Sequence, residues 1–174
     1  MNNWDKRFMD MAELVSTWTS CARQGRAIGA IIVKDKRILT TGYNGAPRGR
    51  KNCVDLGYCT REQLKVPRGE RYELCRSVHA EANAIISAQR RDMVGATIYL
   101  VGRDARSGEL LHDATSCPMC RRMIINAGIK GVLNFTSTRL NFPQGIYVEN
   151  YDITTLLEKV AYCVKESEEN NDNN

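Results

Sequence analysis

Ile28-Gly-Ala-Ile-Ile-Val33, Lys34-Asp-Lys36 and Arg37-Ile-Leu-Thr-Thr-Gly-Tyr43 follow one another without a break. The first piece is apolar and rich in β-branched residues, the second is short and charged, and the third is β-branched again. The stretch therefore reads as strand, turn and strand, an antiparallel hairpin. Upstream, Phe8, Met11, Ala12, Val15 and Trp18 recur at helical spacing and predict a helix over residues 4–22. Downstream, the pattern predicts a helix from about Ser77 to Arg91, a strand over Thr97–Val101, and a loop from Arg103 to Thr115. A further helix is expected to open at Ser116, with Pro118 in its first turn, and to stop near Gly128. Gly131–Phe135 reads as a strand and residues 152–167 as a last helix. One connection stands out, from Asn44 to about Leu74, because it is too long for an idle loop in a compact domain.

At 174 residues the chain suits a single domain, expected over 1–165, with a polar tail over 166–174 expected to be disordered. Hydrophobic residues make up 43% and charged residues 26%, an ordinary composition for a soluble protein. The longest apolar run is too short to span a bilayer, and the first residues lack the pattern of a signal peptide. A cytoplasmic location without membrane association is therefore expected. In that compartment seven cysteines point to metal or catalysis rather than disulfides. A net charge of +5 is compatible with anionic ligands but too mild to demand nucleic acid.

Two short pieces carry the chemistry. His79-Ala80-Glu81 opens one expected helix and Cys117-Pro118-Met119-Cys120 opens the other. Two cysteines three positions apart at a helix start can place both sulfurs on one metal, and His79 from the facing helix makes a third ligand. Zinc accepts this mixed set, and three protein ligands leave its fourth position for water, the mark of a catalytic site. Glu81, two residues from His79, can reach that water without being a ligand, and so is the expected general acid/base. Either piece alone is a weak signal. Together, in this order, they form the zinc-deaminase signature.

On these residues the chain resembles the cytidine and deoxycytidylate deaminases, with the stretches Gly29–Asp35, Gly42-Tyr-Asn-Gly-Ala-Pro-Arg-Gly49, His79–Ile85 and Cys117–Cys120 carrying the likeness from about Trp4 to Phe135. Gly-Tyr-Asn-Gly followed by proline leans toward the deoxycytidylate (dCMP) deaminases. The free-nucleoside enzymes use cysteine where this chain has His79. Two departures stand out: Ser116 occupies a position where the family usually has proline, and residues 102–112 look like an insertion beside the site.

The resemblance implies a three-layer α/β/α sandwich with a mixed sheet, a catalytic Zn2+, conversion of dCMP to dUMP and ammonia, and a homo-oligomer, dimer or hexamer. It also implies substrate contacts from the Asn44 side chain to the sugar and from the Ala80 backbone to the base carbonyl. Arg48 and Arg50, with Lys51, are phosphate candidates because guanidinium groups suit phosphate, although each is also read as a solvated loop charge. Phe142 and Tyr147 are read as packing residues. Some relatives respond to dCTP and dTTP, which makes these nucleotides expected effectors. Several also carry a second zinc held partly by cysteines matching Cys21 and Cys53. Ser77 stands where some of them have a histidine ligand, so Cys59 and Cys75 are expected to complete a closed four-cysteine structural site. Three other readings compete: a tRNA adenosine deaminase, with the same ligands and glutamate, a riboflavin-pathway deaminase, which is normally fused to a reductase, and a non-catalytic zinc module, which would have no need of Glu81.

Overall fold

The computed structural model describes residues 3–21, 26–67, 69–135 and 142–151. Helix α1 (Asn3–Ser16) leads into strands β1 (Arg26–Lys34) and β2 (Arg37–Tyr43). The long connection contains two single-turn helices, α2 (Cys53–Leu56) and α3 (Thr60–Gln63), and a 3-10 turn at Tyr72–Leu74. Then come α4 (Ala80–Ile86), α5 (Arg90–Met93), β3 (Thr97–Asp104), α6 (Pro118–Asn126), β4 (Gly131–Phe135) and β5 (Tyr147–Tyr151).

The hairpin forms as expected. Ile31 lies opposite Thr41 and Lys34 opposite Arg37. Asp35 and Lys36 both take positive φ, the backbone twist that suits a two-residue hairpin turn. The sheet order is β2-β1-β3-β4-β5, with β1 antiparallel to both β2 and β3, and β3, β4 and β5 mutually parallel. A parallel pair needs a crossover, and α6 provides it between β3 and β4.

Side-chain alternation divides the core between the two faces of this mixed sheet. Ile31, Val33, Tyr99, Val101 and Leu133 pack against Phe8, Met9, Ala12 and Val15 of α1. Ala30, Ile32, Ile98, Leu100 and Val132 face α4 and α6 through Ala80, Ala84 and Ile124. The central strands are thus buried on both faces, which is why β1 reads as a continuous apolar run. Each fully buried isoleucine contributes on the order of 1.5–3 kcal/mol. The result is the expected α/β/α sandwich. Phe142 packs against the α4/α6 side of the core, whereas Tyr147 is exposed on β5.

Two glycines set the distance between layers. A Cβ on Gly29 would lie 2.1 Å from the Ala12 carbonyl oxygen of α1. A Cβ on Gly42 would lie 2.2 Å from the Ala80 carbonyl oxygen and 2.4 Å from the Ala84 nitrogen of α4. Helix backbone rests directly on strand backbone at both places.

Several boundaries differ from expectation. α1 ends at Ser16 rather than running on through Trp18, because the chain turns away to bond Asn44: Ser20 N–H donates to its carbonyl and the Thr19 hydroxyl to its side chain. The helix expected from Ser77 starts only at Ala80. Val78 is held extended by a two-way bridge with Gly45, whose N–H···O distances are 2.7 and 3.2 Å. That helix also breaks after Ile86, and Gln89, in an extended conformation, starts α5 as a separate turn. The helix expected to open at Ser116 is capped by Cys117. Strand β3 runs three residues past Val101, to Asp104. Strand β5 was not anticipated. The helix expected over 152–167, Cys163 and the tail lie outside the described residues.

Candidate metal and catalytic site

The two chemical motifs meet where two helix N-termini face each other. His79 is the N-cap of α4 and Cys117 the N-cap of α6, both with extended backbones. Pro118 stands at the first helical position, where its missing N–H leaves no bond unmade. The Cys120 N–H donates to Cys117 Sγ at 3.4 Å, so the first cysteine caps its own helix and points its sulfur inward.

His79 Nδ1 lies 3.5 Å from Cys117 Sγ and 3.4 Å from Cys120 Sγ. Typical zinc–nitrogen and zinc–sulfur bonds in a tetrahedron place such ligand atoms about 3.6 Å apart. The three residues therefore fit a zinc ion without rearrangement, and three ligands leave its fourth position open. Among the described residues this is the group of potential metal ligands whose atoms all come within 4.8 Å of one another. The Cys117 thiol is held well below its usual range, by the neighbouring Cys120 first and by His79 as well, and Cys120 is correspondingly raised. A metal ion would take both as thiolates.

Glu81 sits in the first turn of α4 and is 4% exposed. Burial pushes its carboxyl above the usual range, against the opposing pull of its own backbone, His79 and the Ser116 hydroxyl. A carboxyl that holds its proton more readily is suited to general acid work. It borders a cavity of about 320 Å³ together with His79, Cys117 and Ala80, a size that accepts a small organic ligand.

The other predicted residues divide. Ala80 lines the cavity at the start of α4, where backbone N–H groups lack helical partners. Asn44 lines it too, but its amide is largely occupied. Oδ1 accepts from Ile28 N–H and from the Thr19 hydroxyl, both at 2.8 Å, and Nδ2 donates to the Arg26 carbonyl at 2.9 Å. One Nδ2 proton remains for a ligand. Arg48 and Arg50 are exposed and do not line the cavity.

Cys21, Cys53, Cys59 and Cys75 share one neighbourhood. Cys21 contacts Cys53, and both feel Cys75. Cys59 acts on Cys53, and burial lifts the Cys21 thiol to about 12. No three of their sulfurs come within 4.8 Å of one another as the three catalytic ligand atoms do. Cys21 and Cys75 also border the cavity, so these thiols form part of its wall.

The sequence did not single out Arg61 or Tyr72, which line the cavity from the long connection. Nothing local marks them, because they reach the site only through the turns between Cys59 and Cys75.

Comparison with known proteins agrees with this geometry. Residues 2–136 match the cytidine and deoxycytidylate deaminase zinc-binding region. The chain is 33% identical over 139 residues to the deoxycytidylate deaminase of Schizosaccharomyces pombe, covering 80% of this chain but 39% of that protein. It is 34% identical over 136 residues to the deoxycytidylate deaminase of Mycobacterium phage D29, covering 75% of this chain and 93% of the phage protein. Among solved structures, the dCMP deaminase of cyanophage S-TIM5 in complex with dCMP and dUMP superposes with a TM-score of 0.57 at 27% identity, over 87% of this chain and 99% of that one. With the zinc-ligand triad, the buried glutamate and the sandwich fold together, the chain belongs to the zinc-dependent cytidine and deoxycytidylate deaminase family.

Proposed function

We propose that this protein deaminates dCMP to dUMP, releasing ammonia. The observation that carries the reading is the convergence of His79 Nδ1 on both cysteine sulfurs at 3.4–3.5 Å beside the buried Glu81, in the wall of a cavity of about 320 Å³. The dCMP deaminases among its relatives support the choice of nucleotide.

Zinc held by His79, Cys117 and Cys120 would supply an activated water as nucleophile. The chain's own residues do the rest. Glu81 takes a proton from the attacking water and passes it to the ring nitrogen beside the amine-bearing carbon, making that carbon more electrophilic. It then takes the hydroxyl proton of the tetrahedral adduct and gives it to the departing amine. Water adds, ammonia leaves, and the cytosine ring becomes uracil. Ala80, at the helix start, offers its backbone to the base carbonyl, and Asn44 offers its remaining N–H to the sugar. Burial of Glu81 keeps its proton from exchanging freely with bulk water.

The reading includes a closed structural zinc on Cys21, Cys53, Cys59 and Cys75, which would tie the long connection to the cavity wall. It also includes a homo-oligomer and a response to dCTP and dTTP. Ammonia release from dCMP, dCTP, cytidine and a tRNA substrate tests the core of it. Clear preference for dCMP is expected. Equal rates on dCMP and cytidine would overturn the nucleotide assignment, and activity confined to the tRNA would replace it with base editing.

A further inference from the structure

Among the described residues two charged side chains are buried, Glu81 at 4% and Arg61 at 7% exposure, and both line the same cavity. Glu81 has its task in proton transfer. Arg61 is a permanent cation withdrawn from water, and such a group is costly unless an anion compensates it. Among the described residues no carboxylate lies within ion-pair distance of it. Its Nη2 donates to two backbone carbonyls, Pro67 at 2.8 Å and Glu70 at 2.6 Å. Its Nε is buried with no partner, and Nη1 makes no bond to a described residue. Three of its five N–H groups therefore have no partner among the described residues.

The guanidinium is nonetheless held in place. It lies over the Tyr72 ring, 4.9 Å from the centroid, and Tyr72 meets the His79 ring edge-on at 4.9 Å. Two backbone bonds and a stacked ring fix a charge no more than about 10 Å from the metal-binding histidine. A mononucleotide can bridge that separation. The other basic groups fit less well. Arg26 also lines the cavity, but Asp113 already compensates it at 2.5 Å. Arg48 and Arg50 are exposed and lie outside the cavity.

We infer that Arg61 is the phosphate receptor of the cavity, the residue that distinguishes a nucleoside monophosphate from a nucleoside. Resting on the dCMP reading above, the inference moves phosphate recognition from the Pro47–Lys51 loop to the turn segment between Cys59 and Cys75. Arg61 touches neither the reacting carbon nor the metal ligands directly, so it acts on binding rather than on the chemical step. A phosphate monoester in the cavity would supply the missing counter-charge and accept from Nη1, since Nε is sealed from the cavity. Tyr72 would keep the guanidinium oriented while the site is empty.

The test compares dCMP with deoxycytidine in wild type, Arg61→Gln and Arg61→Lys, using inorganic phosphate as a competitive probe. In Arg61→Gln the KM for dCMP should rise on the order of 100-fold, the loss expected for charge-assisted hydrogen bonds to an ion. Turnover number for dCMP and kcat/KM for deoxycytidine should stay close to wild type. Arg61→Lys, which keeps the charge without the fork, should fall between, with weakened phosphate inhibition. If Arg61→Gln does not fold, the smaller KM rise expected for dCMP but not for deoxycytidine in Arg61→Lys decides the matter. Equal losses on dCMP and deoxycytidine in a folded variant would make Arg61 a structural pin of the 67–70 turn and overturn the inference. So would inhibition by phosphate that is unchanged in Arg61→Lys. A wild-type enzyme indifferent to the phosphate would instead refute the substrate reading itself, whatever the variants do.

Discussion

Replacing Gly42 by alanine should separate the effect of helix position on catalysis from its effect on stability. The added Cβ would lie 2.2 Å from the Ala80 carbonyl oxygen and 2.4 Å from the Ala84 nitrogen. Ordinary contact begins near 3.4 Å. The opposing atoms are backbone, so no side chain can swing aside, and α4 must retreat by about 1 Å. His79 caps that helix and Glu81 lies in its first turn, so both move with it. A displacement of about 1 Å in a reacting group costs roughly 100-fold in rate. Overpacking costs on the order of 1–3 kcal/mol, which in a chain of this length lowers Tm by roughly 2–12 °C. Gly29→Ala is the control. Its Cβ would lie 2.1 Å from the Ala12 carbonyl oxygen, an equal clash against α1 on the opposite face of the sheet, where no catalytic group resides. Thermal unfolding and steady-state deamination of both variants, below their melting temperatures, make the comparison. Similar losses of Tm are expected, with a large fall of kcat in Gly42→Ala alone. If Gly42→Ala keeps kcat within about threefold of wild type, or Gly29→Ala loses as much, the claim that strand–helix contact sets the catalytic geometry is wrong.

Glu81→Gln should keep fold and zinc while activity falls by roughly 10²–10⁴-fold, whereas His79→Ala and Cys117→Ala should lose the catalytic metal. Near-normal turnover in Glu81→Gln would refute the proton-transfer role. Zinc analysis of purified protein should give two ions per chain, falling to one in Cys53→Ser. A single zinc in fully active wild type would rule out the four-cysteine site. The Tyr99 hydroxyl donates to Asp5 at 2.7 Å, and burial together with Asp5 raises its pKa above the usual value near 10. The folded state thus holds this proton more tightly than the unfolded chain. The stability it contributes is intact below about pH 10 and is lost as pH rises from there toward the folded value. Tyr99→Phe should flatten the alkaline decline of Tm, and an unchanged slope would count against this linkage.

Legibility in the sequence followed locality. The hairpin, the Cys117–Cys120 pair and the His79–Glu81 pair could be read because each rests on residues near one another in the chain. Alternating β-branched runs specify a hairpin, and a ligand spacing of three at a helix start specifies a shared metal. Even the meeting of His79 with Cys117 and Cys120, across 38 positions, was inferable, since zinc requires such a set and the chain contains one. Helix ends were less legible because they are set from outside. Gly45 holds Val78 extended and delays α4, and Asn44 draws the chain off after α1. β5 was invisible because its pairing with β4 is parallel and depends on what lies beside it.

The amino-acid order by itself determined the chemistry, a metal held by one nitrogen and two sulfurs with a carboxyl beside it, because that chemistry is a property of residue types at short spacing. Only the tertiary structure decided which cations line the cavity. Arg48 and Arg50, close to the family motif in the chain, lie outside the cavity, while Arg61, in an unmarked turn, is buried within it. Charge in a sequence carries no position. Burial, missing partners and the ring beneath a guanidinium arise only when distant segments pack together.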